Sequence, residues 1–236
     1  MIKLSIIIPC YNESGNIPHL LAAYDQVILR DDIEVIIVDN GSTDDTANIL
    51  SQLASEYERF LTITTIPENK GYGFGVLSGL KKAKGEFLGI THGDLQTSPS
   101  DVIRALAIIE TSDTPQNLYV KGLRTGRPLF DQFFTIGMSI FETIYMRVRL
   151  YDINAQPNVF HRSFYESWNN PPHDFALDLY ILYLAKKQKC VVHRFPTPFP
   201  PRIHGSSKWN TGLSAKWKFI KRTISFSAAL KKSLRQ

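Results

Sequence analysis

Two oxygen-bearing side chains follow a short apolar segment near the middle of the chain. Residues 85–99 read GEFLGITHGDLQTSP, and the apolar segment bounded by glycines predicts a buried strand. Asp94 and Gln96 come just beyond its end and would lie on one side of the chain if it stays extended. Oxygen donors at the mouth of a parallel sheet suit a hard divalent cation that also binds phosphate. The alternative is a polar loop in which Asp94 caps the next helix.

Apolar strands alternate with helical segments through the first 90 residues. This order predicts an α/β fold with a doubly wound, mainly parallel, Rossmann-like sheet and right-handed crossovers. Polar loops follow the strands at their carboxyl ends, where open parallel sheets bind ligands, so a nucleotide-type site is favoured over ordinary connections. The predicted strands cover residues 4–8, 34–38, 61–66 and 85–90, with two more at 117–120 and 189–194. The predicted helices run from about residue 17 to 29, from after residue 46 to about 57, and from the segment 69–75 to about 84.

A nicotinamide-binding domain is a weaker interpretation of the same pattern. Asp39 ends the second strand, where an acid can bind a ribose or a base. A dinucleotide domain also needs the spacing G-x-G-x-x-G after its first strand, but PCYNESGN follows here. The glycine cluster at residues 71–75 comes after the third strand and has a different spacing. These features disfavour a nicotinamide oxidoreductase.

Four motifs resemble the successive signatures of glycosyltransferase family 2, the inverting nucleotide-sugar enzymes with the GT-A fold. They are SIIIPCYNESGNI, IIVDNGSTDDT, NKGYGFGVLSGL and GDLQTSP. The branch that they resemble most is that of the dolichyl- or polyprenyl-phosphate sugar synthases. The resemblance covers residues 4–100 and is looser beyond. It implies a GT-A domain over residues 1–205, with a nucleotide-sugar half at 1–100 and an acceptor half at 101–205, followed by an extension at 206–236.

The resemblance also implies roles for individual residues. Asp94 and Gln96 would hold Mg²⁺ or Mn²⁺ against the donor diphosphate, which makes Asp94 a catalytic candidate. His92 stands where the family usually has another acid, and an imidazole suits Mn²⁺ better than Mg²⁺. The other residues implied at the nucleoside-diphosphate-sugar site are Pro9, Tyr11, Asn12, Glu13, Asp39, Gly41, Ser42, Asp44, Lys70 and Gly71.

Basic residues beyond residue 120 are candidates for the acceptor side. Lys121, Arg124 and Arg127 lie among glycines in a predicted loop that either binds an acceptor phosphate or is a solvated turn. In the synthase branch this region binds the lipid phosphate, and Arg124 is the catalytic candidate. The segment RIHGSSKW at 202–209 resembles the family's R-x-x-G-x-S-K, a mobile loop over diphosphate and acceptor. Its expected contacts are Arg202, Ser207 and Lys208.

Asp174 distinguishes two possible acceptors. A sugar hydroxyl needs a general base near neutral pH, whereas a lipid phosphate is already ionised. Asp174 lies roughly where members with saccharide acceptors place their catalytic acids, so it is the candidate base, with a helix N-cap as the alternative. Asp152 and Gln156 are weaker candidates for the acceptor side.

Two segments suggest contact with a membrane. Residues 129–150 form a mostly apolar amphipathic helix, which packs on the body or lies in a membrane interface. Of the 27 Lys and Arg, 13 follow Asp178, the last carboxylate, and leave 14 bases against 22 acids before them. From Leu213 onward, apolar residues at helical spacing are flanked by these bases, which is typical of an anchor on anionic lipid, with docking on the body as the alternative.

Composition and termini restrict the location and the partners. A chain of 236 residues with 43% hydrophobic residues is ordinary globular material, and two cysteines without paired spacing indicate a reducing compartment. A strand begins at Leu4, which leaves no room for a signal peptide, and no apolar segment is long enough to span a membrane. A cytoplasmic protein, peripheral on the inner membrane face, is expected. Nucleic acid is not an expected partner, and the oligomeric state stays open.

These observations lead to one expected function with two alternatives. The chain is predicted to be a metal-dependent, inverting glycosyltransferase that moves a sugar from a nucleoside diphosphate to polyprenyl phosphate at the membrane surface. The first alternative is the same donor chemistry on a saccharide or a lipid-linked glycan, with Asp174 as base. The second is a nucleotide-sugar-binding protein without catalysis, which His92 makes plausible.

Overall fold

A computed structural model describes residues 1–202 and 213–233, apart from some side chains at the start of the last helix. The strands are β1 (Leu4–Cys10), β2 (Ile33–Asn40), β3 (Leu61–Ile66), β4 (Phe87–Ile90), β5 (Leu118–Thr125), β6 (Asn158–His161) and β7 (Val191–Pro198). The helices are α1 (Ile17–Val27), α2 (Thr46–Leu53), α3 (Tyr72–Leu80), α4 (Pro99–Glu110), α5 (Leu129–Met146), α6 (Arg162–Glu166), α7 (Ala176–Lys187) and α8 (Leu213–Ser233).

The strands form one mixed sheet in the order β3-β2-β1-β4-β6-β5-β7. β3, β2, β1 and β4 are parallel, β6 runs antiparallel to both of its neighbours, and β7 is parallel to β5. The prediction of a doubly wound, mainly parallel α/β sheet is confirmed. All residues of β2 are buried, as expected for a strand that is covered by helices on both faces.

Two hydrophobic cores cover the two faces of the sheet. The first contains Leu20 of α1, Leu50 of α2 and Leu106 of α4. The second contains Val76 of α3 and Ile181 of α7, together with residues of α5 and α8. The carboxyl ends of the parallel strands therefore open between two layers of helices, which is the edge where the candidate site residues lie.

Two predicted boundaries on the acceptor side are wrong. The expected loop at residues 121–128 is strand up to Thr125, because β5 pairs with β7 from Leu118 through Thr125. The predicted final strand ended at Arg194, but β7 continues to Pro198. It is an edge strand, where prolines without an N–H are tolerated.

The C-terminal part of α8 packs on the body. Leu230 is buried in the second core, Ser227 donates a hydrogen bond to the Glu142 carboxylate of α5, and the Lys231 ammonium donates to the Tyr145 carbonyl. Trp217, nearer the start of α8, is 58% exposed. Docking on the body, the alternative to a membrane anchor, therefore applies to the second half of this helix. Among the described residues, no helix combines the length and apolarity that crossing a membrane requires.

Candidate donor and acceptor site

The loops that follow β1 and β2 are joined by hydrogen bonds. The Asn12 N–H donates to Ser42 Oγ at 3.0 Å, and the Thr43 N–H donates to Asn12 Oδ1 at 2.8 Å. The Ser14 N–H donates to Asp44 Oδ2 at 3.2 Å. Burial raises the pKa of Asp44, but hydrogen bonds from Thr46 and Ser14 bring it below its usual value overall. The structure thus brings these two sets of predicted nucleoside-site residues together.

The loop after β3 lies against the loop after β2. Asn40 Nδ2 donates to the Gly71 carbonyl at 2.9 Å. Gly41 has a φ of 71°, and a Cβ there would lie 2.4 Å from the Asn69 backbone nitrogen, so only glycine lets the two loops approach so closely. Asp39 is buried, and its Oδ1 accepts from the Ser42 N–H at 3.0 Å.

Three more predicted donor-site residues lie at the same edge of the sheet. Pro9 lies within β1 opposite Val38. Tyr11 is 37% exposed, and the Lys70 ammonium is exposed above the Phe74 ring. These residues lie in or beside the three loops, where they can contact a ligand.

Asp94 and Gln96 converge by a different geometry from the predicted one. Leu95 between them has a φ of 57°, so the chain turns instead of staying extended. The Gln96 N–H donates to Asp94 Oδ1 at 3.1 Å, which fixes the carboxylate across this turn. Arg202 bridges both side chains: its Nη2 lies 2.9 Å from Asp94 Oδ2 and its Nε 3.3 Å from Gln96 Oε1.

This pair of oxygens fits a divalent cation. One guanidinium reaches both, so they face the same point in space, and Asp94 is only 5% exposed. Within residues 1–202 and 213–233, no group of three or more His, Cys, Asp and Glu could hold a metal ion. Mg²⁺ and Mn²⁺ accept six oxygen ligands and often take several from phosphate and water. The protein pair would therefore bind such a cation together with a diphosphate.

Other charged groups surround this pair. Burial raises the pKa of Glu13, Asp94 raises it further, and Arg202 lowers it, so the three charges lie close enough to interact. The His92 ring lies 5.7 Å from the Tyr72 ring, centroid to centroid. The phenol of Tyr72 lies 3.4 Å from Asp178 Oδ1 on the acceptor side.

The predicted contact between Lys121 and an acceptor phosphate does not agree with the structure. It is fully buried in β5, and its ammonium donates to the Ala155 carbonyl and to Asn158 Oδ1, each at 2.6 Å. A side chain without any exposed surface cannot contact a phosphate in solution. Lys121 therefore belongs to an interior polar cluster, which it forms with Asn158, Gln156 and the Ala155 carbonyl.

The pH dependence of folding tests this burial. Burial lowers the pKa of Lys121 from 10.5 to about 7, so between these values the unfolded chain holds a proton that the folded chain lacks. The contribution of Lys121 to the free energy of unfolding therefore rises with pH above about 7. Relative to Lys121→Met, the wild type should gain about 1–2 kcal/mol in free energy of unfolding from pH 7 to pH 9, measured with urea. The exposed Lys82→Met is the control, and equal pH slopes for wild type and Lys121→Met would contradict the assignment.

Arg124 and Arg127 remain at the end of β5 and the start of α5. Arg124 forms an ion pair with the buried Asp152, whose carboxylate also accepts from the Arg124 N–H at 3.0 Å. Burial raises the pKa of Asp152, but Arg124 lowers it below the usual value overall. Arg127 is partly exposed, and its Nη2 donates to Thr135 Oγ1 at 2.7 Å. Asp152 thus holds Arg124 in place beside Arg127.

Asp174 lies beside the donor loops. The preceding carbonyl, that of His173, accepts from the Phe74 N–H at 2.9 Å, and Asp174 Oδ1 accepts from the Ala176 N–H at 2.8 Å. The carboxylate is partly exposed, and the hydrogen bond shows that it also holds the start of α7. Ser207 and Lys208, predicted to contact the acceptor, lie outside the described residues.

Asp178 is a buried acid that the sequence reasoning missed. It is 3% exposed, and Gln156 Nε2 lies 3.3 Å from its Oδ1. Burial raises its pKa, and the nearby Lys121 and His92 lower it. Through its contacts with Tyr72 and Gln156, Asp178 connects the donor side with the interior polar cluster. A lone carboxylate in the apolar segment ALDLYILYL was a signal that could have identified it.

The fold and the site together define a doubly wound α/β domain whose polar loops meet at the carboxyl edge of its sheet. The profile of the family described as "Glycosyl transferase family 2" matches residues 5–160, so the chain belongs to this family. The expected family is confirmed.

One curated relative is an undecaprenyl-phosphate 4-deoxy-4-formamido-L-arabinose transferase from Yersinia enterocolitica. It is 30% identical over 110 residues, which cover 46% of this chain but only 34% of the relative. The match therefore spans about a third of that protein.

Solved structures show the same fold over nearly the whole chain. A mannosyltransferase from Pyrobaculum calidifontis, in complex with GDP-Man and Mn²⁺, has a TM-score of 0.71 at 20% identity and covers 99% of this chain and 64% of that one. Glucosyl-3-phosphoglycerate synthase from Mycobacterium tuberculosis, with Mn²⁺, UDP-glucose and glycerol 3-phosphate, has a TM-score of 0.70 at 16% identity and covers 96% and 80%. The fold is therefore GT-A, as expected.

Proposed function

We propose that the protein transfers a sugar, with inversion, from a nucleoside diphosphate sugar to polyprenyl phosphate at a membrane surface. The observation that carries this proposal is the convergence of Asp94 Oδ2 and Gln96 Oε1 on a single cation, the Arg202 guanidinium. This convergence lies at the sheet edge where the loops after β1, β2 and β3 meet. The two structural neighbours are complexes with Mn²⁺ and nucleotide sugars, which supports this donor chemistry.

The donor side would stabilise the leaving group. The bond between the sugar C1 and the diphosphate oxygen breaks, and the electron pair leaves with the nucleoside diphosphate. Asp94 and Gln96 would hold a divalent cation, which would supply positive charge where this negative charge develops. Arg202 is the adjacent protein cation, and the buried Asp39 and the Asn12–Ser42 contact would position the nucleoside.

The acceptor side would receive a phosphate. A phosphate monoester is ionised at neutral pH, so its oxygen attacks C1 opposite the diphosphate without a general base. Arg127 is the candidate contact to this phosphate, because it is partly exposed just after β5 and its guanidinium donates a hydrogen bond to Thr135. Arg124 would act beside it while paired with Asp152. The undecaprenyl-phosphate relative supports this choice of acceptor.

An exposed apolar face of α5 supports a place at the membrane. The helix starts two residues after Arg127, on the edge that carries the donor loops. A lipid phosphate stays at the membrane surface, so the enzyme must bring this edge to it. The outward apolar side chains recur at helical spacing, as in an interfacial helix, and each is at least 43% exposed. They are Leu129, Phe133, Ile136, Ile140 and Ile144.

The acceptor can be tested by a transfer assay with labelled nucleotide sugars, Mn²⁺ and short-chain polyprenyl phosphate. Arg127→Gln should lower transfer about fivefold to tenfold with donor affinity unchanged, since it removes a charge-assisted contact to phosphate. Asp174→Asn should keep most of the activity. Arg127 is preferred to Arg124 for this test, because neutralising Arg124 leaves the buried Asp152 unpaired.

The opposite result would favour a saccharide acceptor. Asp174 lies on the segment that contacts the start of α3 and is partly exposed, which is the observation in favour of this second candidate. If Asp174→Asn abolishes transfer to a glycan while Arg127→Gln has no effect, Asp174 is the base. Nucleotide-sugar binding without any transfer would instead identify a binding protein.

A further inference from the structure

Arg202 occupies the place that a divalent cation would take. Its Nη2 lies 2.9 Å from Asp94 Oδ2 and its Nε 3.3 Å from Gln96 Oε1. These are the two oxygens assigned to the cation in the proposed function. The contact joins segments more than 100 residues apart in the chain.

The amide of Gln96 shows how Arg202 is held there. Gln96 Nε2 donates to the Pro200 carbonyl at 2.8 Å, so the amide nitrogen faces the backbone and the amide oxygen is left for Arg202. A cation would need only this oxygen. The Arg202 side chain can therefore leave while the contact between Gln96 and Pro200 stays in place.

The charges explain why Arg202 lies at this point. Asp94 is 5% exposed, and a buried carboxylate without a counter-charge is costly. Arg202 also lowers the pKa of Glu13, which burial and Asp94 raise, so it compensates two acids of the donor cleft. A divalent cation on the same oxygens would repel the guanidinium strongly.

We propose that Arg202 and the divalent cation compete for Asp94 and Gln96, and that cation binding releases Arg202 to the donor diphosphate. The proposal deepens the proposed function and rests on its donor chemistry. The planar guanidinium matches phosphate oxygens as well as it matches a carboxylate. Arg202 therefore opposes cation binding when the donor is absent and favours donor binding when the cation is present. These opposite effects distinguish it from a residue that only supports the loop.

The first test measures Mn²⁺ binding without nucleotide, by electron paramagnetic resonance of the free ion. Arg202→Gln should bind Mn²⁺ about threefold to tenfold more tightly than the wild type, because the competing charge is removed. Arg30→Gln is the matched control: it likewise removes an arginine that bridges two side chains, here the carboxylates of Asp32 and Glu110, at the opposite edge of the sheet. Equal or weaker Mn²⁺ binding by Arg202→Gln would overturn the competition.

The second test measures nucleoside diphosphate binding by calorimetry at saturating Mn²⁺, with UDP, GDP, dTDP and CDP. Arg202→Gln should bind the preferred nucleotide about threefold to tenfold more weakly than the wild type. Unchanged or tighter binding would overturn the release to diphosphate. The Mn²⁺ titration needs no nucleotide, so it still decides the competition if transfer fails. A wild type that binds no nucleotide would refute both the release and the proposed donor.

Discussion

Asp94→Asn is expected to lower Mn²⁺-dependent affinity for the preferred nucleoside diphosphate by about 100-fold, because it removes the only charged ligand of the pair. The side chain keeps its shape and can still accept the Gln96 N–H, so the turn at Leu95 should persist. Calorimetry with the panel of four nucleotides, with and without EDTA, measures the effect. EDTA should bring the wild type to the affinity of the variant.

A control variant separates this effect from a general loss of charge. Asp101→Asn neutralises another buried aspartate, in the first turn of α4, without touching the oxygen pair. It should bind nucleotide as the wild type does. Thermal unfolding of both variants checks that the fold is intact. If Asp94→Asn binds nucleotide normally in Mn²⁺, the assignment of this residue to the cation is wrong.

The nucleotide-binding half was predictable because its signals are local. Apolar strands such as β2 end in polar loops, and β3 has the predicted bounds. Asp94 and Gln96 were placed together correctly, but for an incorrect reason. The prediction assumed an extended chain, whereas Leu95 turns in the left-handed region. Two different geometries bring side chains two residues apart to one side, and the sequence does not choose between them.

The acceptor side depends on contacts between distant segments, so local patterns were insufficient. Lys121 seemed exposed because lysine in a glycine-containing segment usually is, yet pairing of β5 with β6 and β7 buries it. Its partners Ala155 and Asn158 lie 34 and 37 residues away. Arg202 was assigned to diphosphate and acceptor, but its contact with Asp94 could not be read from spacing.

Membrane association is expected to depend on the exposed face of α5. Phe133 and Ile140 are 78% and 55% exposed and point away from the body. The double variant Phe133→Asp/Ile140→Asp should bind vesicles of phosphatidylglycerol and phosphatidylcholine about 100-fold more weakly. Full burial of each such side chain contributes about 1.5–3 kcal/mol, and the new carboxylates are repelled by anionic lipid. Cosedimentation with vesicles measures the binding.

The control applies the same chemistry to the other edge of the sheet. Leu29 and Val191 are 87% and 53% exposed. Leu29 precedes β2 and Val191 begins β7, so both lie at the edge of the sheet opposite the donor loops. Leu29→Asp/Val191→Asp adds equal negative charge and should bind vesicles nearly as well as the wild type. If both double variants lose binding equally, net charge is responsible. If neither does, α5 does not contact the membrane, and the proposed lipid phosphate would have to be reached through another surface.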